Sequence, residues 1–260
     1  METKSNAKLK AMFIIPSITG IILFMIPVKN AAGEWTVVVK ILADIISASI
    51  GGFLPLLGAG HRVGKGDTII LESCEYHDSF LYFCPTIAVI LDIEADHLDY
   101  FSDLEDVKRS FREFAAKVPE RGKIVANIDD RNTMDALAPL GRELFTFGLT
   151  DKADVYARNI HRVGANSEFD IYCHGKLFTS VTLHIPGIHN VKNALAATAA
   201  CICLGVRPNA VKYGLAGFNG AGRRFEFKGK FNGADVYDDY AHHPGELHAL
   251  LEMAKTLPYK

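Results

Sequence analysis

Two short apolar runs, both rich in β-branched residues, constrain the fold of this chain more than any other feature. Residues 68–71 read Thr-Ile-Ile-Leu, and residues 87–91 read Ile-Ala-Val-Ile-Leu. Continuous apolar runs of this length are typical of strands that are buried on both faces, as in a parallel sheet. Acidic and imidazole residues follow each run at once, in segments 72–80 and 92–100.

The carboxyl ends of the strands in an open α/β sheet form the edge where ligands bind, and both polar segments are predicted to reach that edge. Carboxylates and a neutral histidine could hold a hard divalent cation there. Mg²⁺ takes one or two protein groups and completes its shell with phosphate and water. A solvated acidic loop explains either segment alone. Two such loops after two buried strands make a metal site an equally good interpretation.

The segments that follow alternate in a way that predicts a doubly wound α/β fold. Apolar residues recur at helical spacing between residues 104 and 118, and Pro119 ends that helix. Residues 123–127 and 144–148 are predicted strands on either side of a short helix at 133–140. This order is typical of a mostly parallel sheet. Three shorter runs predict attached antiparallel strands, at residues 155–157, 169–172 and 181–183.

Polar motifs mark the helix starts in the last third of the chain. His189 and Asn190 precede a helix of small residues at 191–204, and Asn190 is its predicted N-cap. Capping alone explains this pair, whereas Asn193 on the first turn could direct its amide to a ligand. Another helix is predicted at 209–218.

A glycine-rich turn at residues 219–222 then leads to Arg223 and Arg224. Arginine binds phosphate oxygens in bidentate fashion, so this turn could hold a phosphate, and a solvated basic turn is the alternative. A predicted strand at 236–240 and a helix at 245–254 complete the chain.

Net charge and cysteine content exclude several classes of protein. The net charge is -2, so no nucleic-acid partner is expected. The five cysteines are odd in number and form no C-x-x-C pattern, which argues against a disulfide framework or zinc knuckle. A reducing compartment is therefore expected.

The first fifty residues differ in character from the rest. Lysines precede an uncharged run at residues 11–28, and a second apolar stretch covers residues 35–57. The first run is just long enough for a transmembrane helix with a cytoplasmic N-terminus. A signal peptide or a buried hairpin would be the alternatives. We predict a hydrophobic, helical segment over residues 1–50 with membrane contact through residues 11–57. It resembles the N-terminus of the nucleoside-recognition (YjiH-like) membrane proteins of bacteria.

Five ordered motifs resemble those of the ATP-dependent Mur ligases of peptidoglycan synthesis. They lie at residues 72–80, 92–99, 187–194, 222–226 and 238–244. The members that join L-alanine to UDP-N-acetylmuramate are the most similar. The resemblance implies a central ATP-binding domain at residues 51–229 and the start of a C-terminal domain at 230–260.

The resemblance also implies ligands for ATP and Mg²⁺. Glu75 matches the carboxylate that binds Mg²⁺ between the ATP phosphates, and His97 matches the ligand of a second Mg²⁺ near the substrate carboxylate. His189, Asn190 and Asn193 match the adenine-binding segment.

The remaining matches imply the catalytic groups of an acid–amino-acid ligase. Arg224, together with Arg223, matches the phosphate-contacting arginine. Asp239 and His242 match the hinge into the C-terminal domain, where ATP and the incoming amino acid meet. The muramate carboxylate would attack the γ-phosphate of ATP, and the amine of L-alanine would then displace phosphate from the acyl phosphate. His97, Arg224 and His242 would be the catalytic residues.

The chain also departs from the family pattern. Residues 64–66 read Gly-Lys-Gly and do not complete a phosphate-binding loop, because Ala59 and Gly66 stand where glycine and Ser or Thr are required. A turn before the strand at 68–71 is predicted instead. The N-terminal UDP-binding domain has no counterpart here. We therefore expect a fused or misassembled reading frame with its junction between residues 46 and 60, and no ligase activity from this chain alone.

Three other functions remain open at this point. The motifs would also suit a fragment of a murein tripeptide ligase, since its hinge is similar. A membrane-anchored, non-catalytic nucleotide-binding module is a second alternative. A metal-dependent phosphohydrolase using Glu75, His97 and Asp99 is a third. The expected location is the cytoplasm, with N-terminal membrane association.

Overall fold

The computed structural model describes residues 10–15, 46–54, 59–63, 68–163, 166–242, 244–255 and 257. Ten strands of this part of the chain form one sheet. They are β1 Lys10–Ile15, β2 Ile46–Leu54, β3 Ala59–Arg62, β4 Thr68–Glu72, β5 Ile87–Ile90, β6 Lys123–Asn127, β7 Leu144–Gly148, β8 Val155–Val163, β9 Asn166–Cys173 and β10 Lys176–Leu183. A separate hairpin consists of β11 Glu226–Phe231 and β12 Ala234–Asp238.

Helices cover the sheet and connect its strands. They are α1 Leu104–Ala116, α2 Arg131–Leu137, α3 Ile188–Cys203, α4 Pro208–Ala216 and α5 Pro244–Ala254. Two 3₁₀ segments lie at Tyr76–Tyr82 and Ala138–Leu140.

The sheet is parallel through its centre and antiparallel at both edges. Its strand order is β10-β9-β8-β7-β6-β5-β1-β4-β2-β3. All pairs from β8 to β2 are parallel, whereas β10, β9 and β3 run antiparallel to their neighbours. The predicted mostly parallel α/β sheet with attached antiparallel strands is confirmed.

Strand β5 shows why the apolar runs need both faces covered. Val89 belongs to the core on the α3 side of the sheet, and Ile90 belongs to the core on the α1 side. Both are fully buried. Because successive side chains of a strand point to opposite faces, an uninterrupted apolar run is stable only between two layers of helices.

The segment after β4 is anchored in the second of these cores by Phe80. Its ring is fully buried and stacks on Phe114 of α1, with the ring centroids 4.8 Å apart. Phe111 meets the same ring edge-on at 5.3 Å. The polar residues just before Phe80 are therefore held by a hydrophobic contact with α1.

The predicted helical N-terminal segment is wrong for the residues that the structure describes there. Residues 10–15 and 46–54 form β1 and β2, and β1 hydrogen-bonds to both β4 and β5. An apolar stretch can satisfy its backbone hydrogen-bonding groups in a central strand as well as in a helix. Hydropathy alone therefore did not distinguish a strand from a helix here. The other residues of 1–50 lie outside the described part. No helix in that part is long and apolar enough to cross a bilayer.

Two smaller predictions also need correction. Asn190 is not the N-cap of α3, because the helix begins at Ile188 and Gly187 takes the cap position with φ 101°. The sequence analysis also did not predict β11. Apolar and polar residues alternate poorly in this strand, which forms by pairing with β12. The turn predicted at residues 64–66 lies outside the described residues.

Truncating the Phe80 anchor should destabilise the fold strongly. For Phe80→Ala we expect a loss of about 3–5 kcal/mol in the free energy of unfolding, because a fully buried ring leaves a cavity against α1. Urea denaturation followed by circular dichroism measures it. Tyr82→Ala is the matched control in the same segment, since its side chain is 88% exposed and should cost less than about 0.5 kcal/mol. Equal losses in the two variants would contradict the anchoring role.

Candidate functional site

The two polar loops that follow β4 and β5 meet at Glu75 and His97. The His97 Nε2 atom lies 3.6 Å from Glu75 Oε1 and 3.5 Å from Asp96 Oδ2. Ligand atoms of Glu75, Asp96 and His97 all lie within 4.8 Å of one another, and all three residues are partly buried. Two carboxylates and one imidazole at this spacing fit a hard divalent cation such as Mg²⁺ or Mn²⁺.

The electrostatic environment of this cluster also suits a cation. Burial raises the pKa of the Glu75 carboxyl above its usual value, and the neighbouring His97 lowers it only in part. A carboxylate that is costly to ionise in the empty site gains more from a bound cation than a solvated one. Sequence reading selected Glu75 and His97 but did not select Asp96, although Asp96 immediately precedes His97.

Two tyrosine–aspartate hydrogen bonds lock the two loops together. The Tyr76 hydroxyl donates to Asp99 Oδ2 at 2.6 Å, and the Tyr100 hydroxyl donates to Asp78 Oδ2 at 2.7 Å. Each loop thus contributes one tyrosine and one aspartate. The ring of Tyr76 also stacks on His97, with 4.5 Å between the centroids. Strand β1 separates β4 from β5, so the strand ends lie roughly 10 Å apart and the loops need such cross-links to meet.

Left-handed backbone at three positions completes this arrangement. His77, Asp78 and His97 have φ values of 54°, 55° and 54°. Residues other than glycine adopt this region at a cost, so the contacts around these three residues must hold them there.

A second cluster surrounds Arg224 and lies between the glycine-rich turn and the start of α5. Arg224 Nη1 donates to Glu246 Oε1 at 3.1 Å, and the backbone N–H of His242 donates to Glu246 Oε2 at 2.9 Å. Asp239 accepts from the backbone N–H groups of Phe225 and Ala241, at 2.7 and 2.8 Å. Asp239 and His242 therefore lie close to Arg224, in residues 239–242 between β12 and α5, which are called the hinge below.

Arg223 points elsewhere. Its guanidinium lies 4.8 Å from the centre of the Tyr240 ring, and its Nε lies 3.5 Å from Asp238 Oδ2. The side chain is 61% exposed, against 26% for Arg224. The structure therefore brings Arg224, and not Arg223, to the buried side of the hinge.

The first turn of α3 presents polar atoms without protein partners. The Asn190 amide donates to the carbonyl oxygen of Pro186 at 2.6 Å, but its Oδ1 is buried and accepts from no described residue. The Nδ2 of Asn193 is likewise buried and has no acceptor in the described part of the chain. Buried amide atoms are nearly always hydrogen-bonded, so these two are candidates for ligand contacts.

His189 connects this turn with the hinge. Burial lowers the pKa of its imidazole, while the nearby Asp239 carboxylate raises it and the Arg224 guanidinium lowers it. The imidazole lies over Gly187, where a Cβ would clash with its Cε1, so glycine is required at that position. A cavity of about 570 Å³ lies beside His189, between the β8–β9 hairpin and α5.

A contact also links the loop after β5 to α5. Glu94 Oε2 lies only 2.9 Å from the point that a Cβ on Gly245 would occupy. The metal-binding candidates and the hinge cluster therefore border the same side of the sheet, at the carboxyl end of β5.

Comparison with known families identifies the family of this chain. The Mur ligase middle domain matches residues 55–201, which include Glu75, His97 and Asn193, and the Mur ligase glutamate ligase domain matches residues 223–260, which include Arg224. The chain belongs to the Mur ligase family.

Similar proteins support this assignment. The UDP-N-acetylmuramate–L-alanine ligase of Caldanaerobacter subterraneus subsp. tengcongensis is 45% identical over 212 residues, which are 81% of this chain and 46% of the relative. That of Acetivibrio thermocellus is 39% identical over 244 residues, 91% of this chain and 52% of the relative. The chain thus spans about half the length of the curated relatives it matches.

Solved structures show the same fold. UDP-N-acetylmuramate–alanine ligase MurC from Thermotoga maritima has a TM-score of 0.74 at 25% identity, over 94% of this chain and 53% of that one. MurF ligase from Thermotoga maritima in complex with ADP has a TM-score of 0.74 at 19% identity, over 96% of this chain and 58% of that one. Mur ligases are ATP-dependent ligases, and the second of these structures contains ADP.

The two charged groups near His189, Asp239 and Arg224, allow a test of where its imidazole lies. In Asp239→Asn the pKa of His189 should fall further, because the carboxylate that favours the protonated ring is removed. In Arg224→Gln it should rise, because a nearby positive charge is lost. Histidine NMR titration measures both variants. Shifts in the same direction would contradict the placement of His189 between these two charges.

Proposed function

We propose that this chain forms the ATP-handling part of a UDP-N-acetylmuramate–L-alanine ligase, which acts in peptidoglycan precursor synthesis. The observation that carries the proposal is the placement of three groups along one side of the sheet. These are the acidic cluster of Glu75 and His97, the unpartnered amides of α3, and the partly buried Arg224.

The choice of L-alanine as the amino acid rests on similarity. The relatives that are 38–45% identical are alanine ligases. Among solved structures, the murein peptide ligases are 20–22% identical with TM-scores of 0.66, against 25% and 0.74 for MurC from Thermotoga maritima. We therefore infer that the complete protein takes UDP-N-acetylmuramate and L-alanine, and that a murein tripeptide ligase is the less favoured alternative.

In the proposed reaction the chain's residues bind, orient and stabilise charge. Asn193 and Asn190 offer amide atoms to the adenine, and Asp239 holds the hinge through two backbone N–H groups. Arg224 would stabilise the negative charge of the phosphoryl group as it moves to the muramate carboxylate. Mg²⁺, when bound to Glu75, Asp96 and His97, would neutralise charge on the ATP phosphates. His242 lies at the hinge, where the amine of L-alanine would enter.

The domain division follows from the same proposal. We assign residues 51–229 to the central domain and the following residues to the C-terminal domain. Because β11 pairs with β12, the boundary is better set before Glu226, so that the hairpin stays whole. Strand β1, from residues 1–50, lies inside the central sheet between β4 and β5. ATP as a substrate implies a cytoplasmic reaction.

Calorimetry with Mg-ADP tests nucleotide binding by the full chain. We expect Asn193→Ala to weaken ADP binding by roughly tenfold, because a buried hydrogen bond to the ligand contributes about 1–1.5 kcal/mol. Asn209→Ala is the matched control, since Asn209 is exposed and lies on the first turn of α4, outside the glycine-rich turn. Equal ADP affinity in the parent and Asn193→Ala would argue against the adenine role.

Mn²⁺ titration followed by electron paramagnetic resonance tests the metal site. Glu75→Gln should weaken Mn²⁺ binding by about tenfold or more, because one charged ligand is lost. Glu105→Gln serves as the control, since its side chain is 75% exposed and lies on α1. The metal proposal fails if Glu75→Gln binds Mn²⁺ as tightly as the parent.

A further inference from the structure

Glu246, on the first turn of α5, is the most deeply buried carboxylate of the hinge. The residue is 4% exposed, and its two oxygens have different partners. Oε1 accepts from Arg224 Nη1 at 3.1 Å, and Oε2 accepts from the His242 backbone N–H at 2.9 Å. The Nδ1 atom of His242 lies 3.4 Å from the same Oε2.

A carboxylate buried to this degree requires charged and hydrogen-bonding partners. Taking an ionised carboxylate out of water is costly unless a cation and good hydrogen bonds replace the solvent. Arg224 supplies the cation, and the backbone of His242 supplies the second donor. The two carboxylate oxygens therefore have different partners: one accepts from Arg224 and the other accepts from the backbone at the start of α5.

The contact with Glu246 uses only part of the Arg224 guanidinium. Arginine offers five N–H donors in a planar fork. In the described part of the chain, the Nε and Nη2 atoms of Arg224 make no hydrogen bond. The guanidinium also lies close enough to His189 to lower the pKa of that imidazole. The unused edge is thus available near the first turn of α3, where the amides of Asn190 and Asn193 lack partners.

Arg223, the neighbouring arginine in the same turn, has no buried carboxylate as a partner among the described residues. It lies over the Tyr240 ring and 3.5 Å from Asp238 Oδ2, and its side chain is 61% exposed. The difference between these adjacent arginines is the buried acid on α5.

We propose that Glu246 is the positioning residue for Arg224, and that it fixes one edge of the guanidinium so that the other edge faces the phosphates of the nucleotide. This inference deepens the proposed function and rests on it. Because the same carboxylate binds the backbone before α5, any displacement of α5 displaces Arg224. Phosphate recognition is thereby coupled to the docking of the C-terminal segment.

Ligand binding by Glu246→Gln tests this role in the full chain. Glutamine keeps the size of the side chain but has one acceptor oxygen, so it cannot serve both donors. We expect about tenfold weaker binding of ADP by calorimetry without added metal, and adenosine binding within about twofold of the parent. Glu252→Gln is the matched control, because Glu252 lies on the same helix, is 53% exposed and pairs with Lys255. Parallel losses for ADP and adenosine would assign Glu246 a structural role only and overturn the inference.

A ligand-free measurement tests the pairing itself. Phenylglyoxal modifies accessible arginines, and mass spectrometry resolves the two sites. In Glu246→Gln the modification of Arg224 should accelerate severalfold relative to Arg223 in the same molecule. An unchanged rate at Arg224 overturns the positioning role. If the parent chain binds no ADP while Glu246→Gln still shows the accelerated rate, the proposed function and the phosphate role are overturned, and the pairing remains as a structural contact.

Discussion

The parallel pairing of β4, β1 and β5 is the constraint on which the rest of the structure depends. It sets the carboxyl ends of these strands at one edge of the sheet, where the chain must turn away in polar loops. The apolar side chains of β5 hold this edge between two helical layers. The strand ends are separated by the width of β1, so the loops meet only by crossing over it, and the Tyr76–Asp99 and Tyr100–Asp78 bonds join them there.

The site is divided between rigid and adjustable parts. The acidic cluster lies on loops that Phe80 fastens to α1, and the unpartnered amides lie on α3, which packs against the centre of the sheet. The arginine belongs instead to a turn that is held by α5 through a single buried carboxylate. A ligand that needs all three groups would therefore bind best when α5 is docked against the sheet. Under the proposed function, this arrangement would link phosphate binding to the position of the C-terminal segment.

The sequence predicted most elements of the described fold because their signals are local. Strands β4 to β7 and helices α1, α3 and α4 follow from apolar runs and helical spacing. The N-terminal segment was misread because an apolar run satisfies its hydrogen bonds either in a helix or between two strands. Asn190 was misassigned as a cap because glycine at position 187, with φ 101°, takes that position instead.

The sequence by itself determined which residue types stand at the carboxyl ends of the strands, and its ordered motifs led to the family and to Glu75, His97, Asn193 and Arg224. Only the tertiary structure decided which of these meet. It inserted β1 between β4 and β5, brought Asp96 to the metal candidates, and turned Arg223 outward. It also paired Arg224 with Glu246, which is 22 residues further along the chain. The physical reason is that such contacts depend on the paths of loops between distant residues, and periodicity carries no information about those paths.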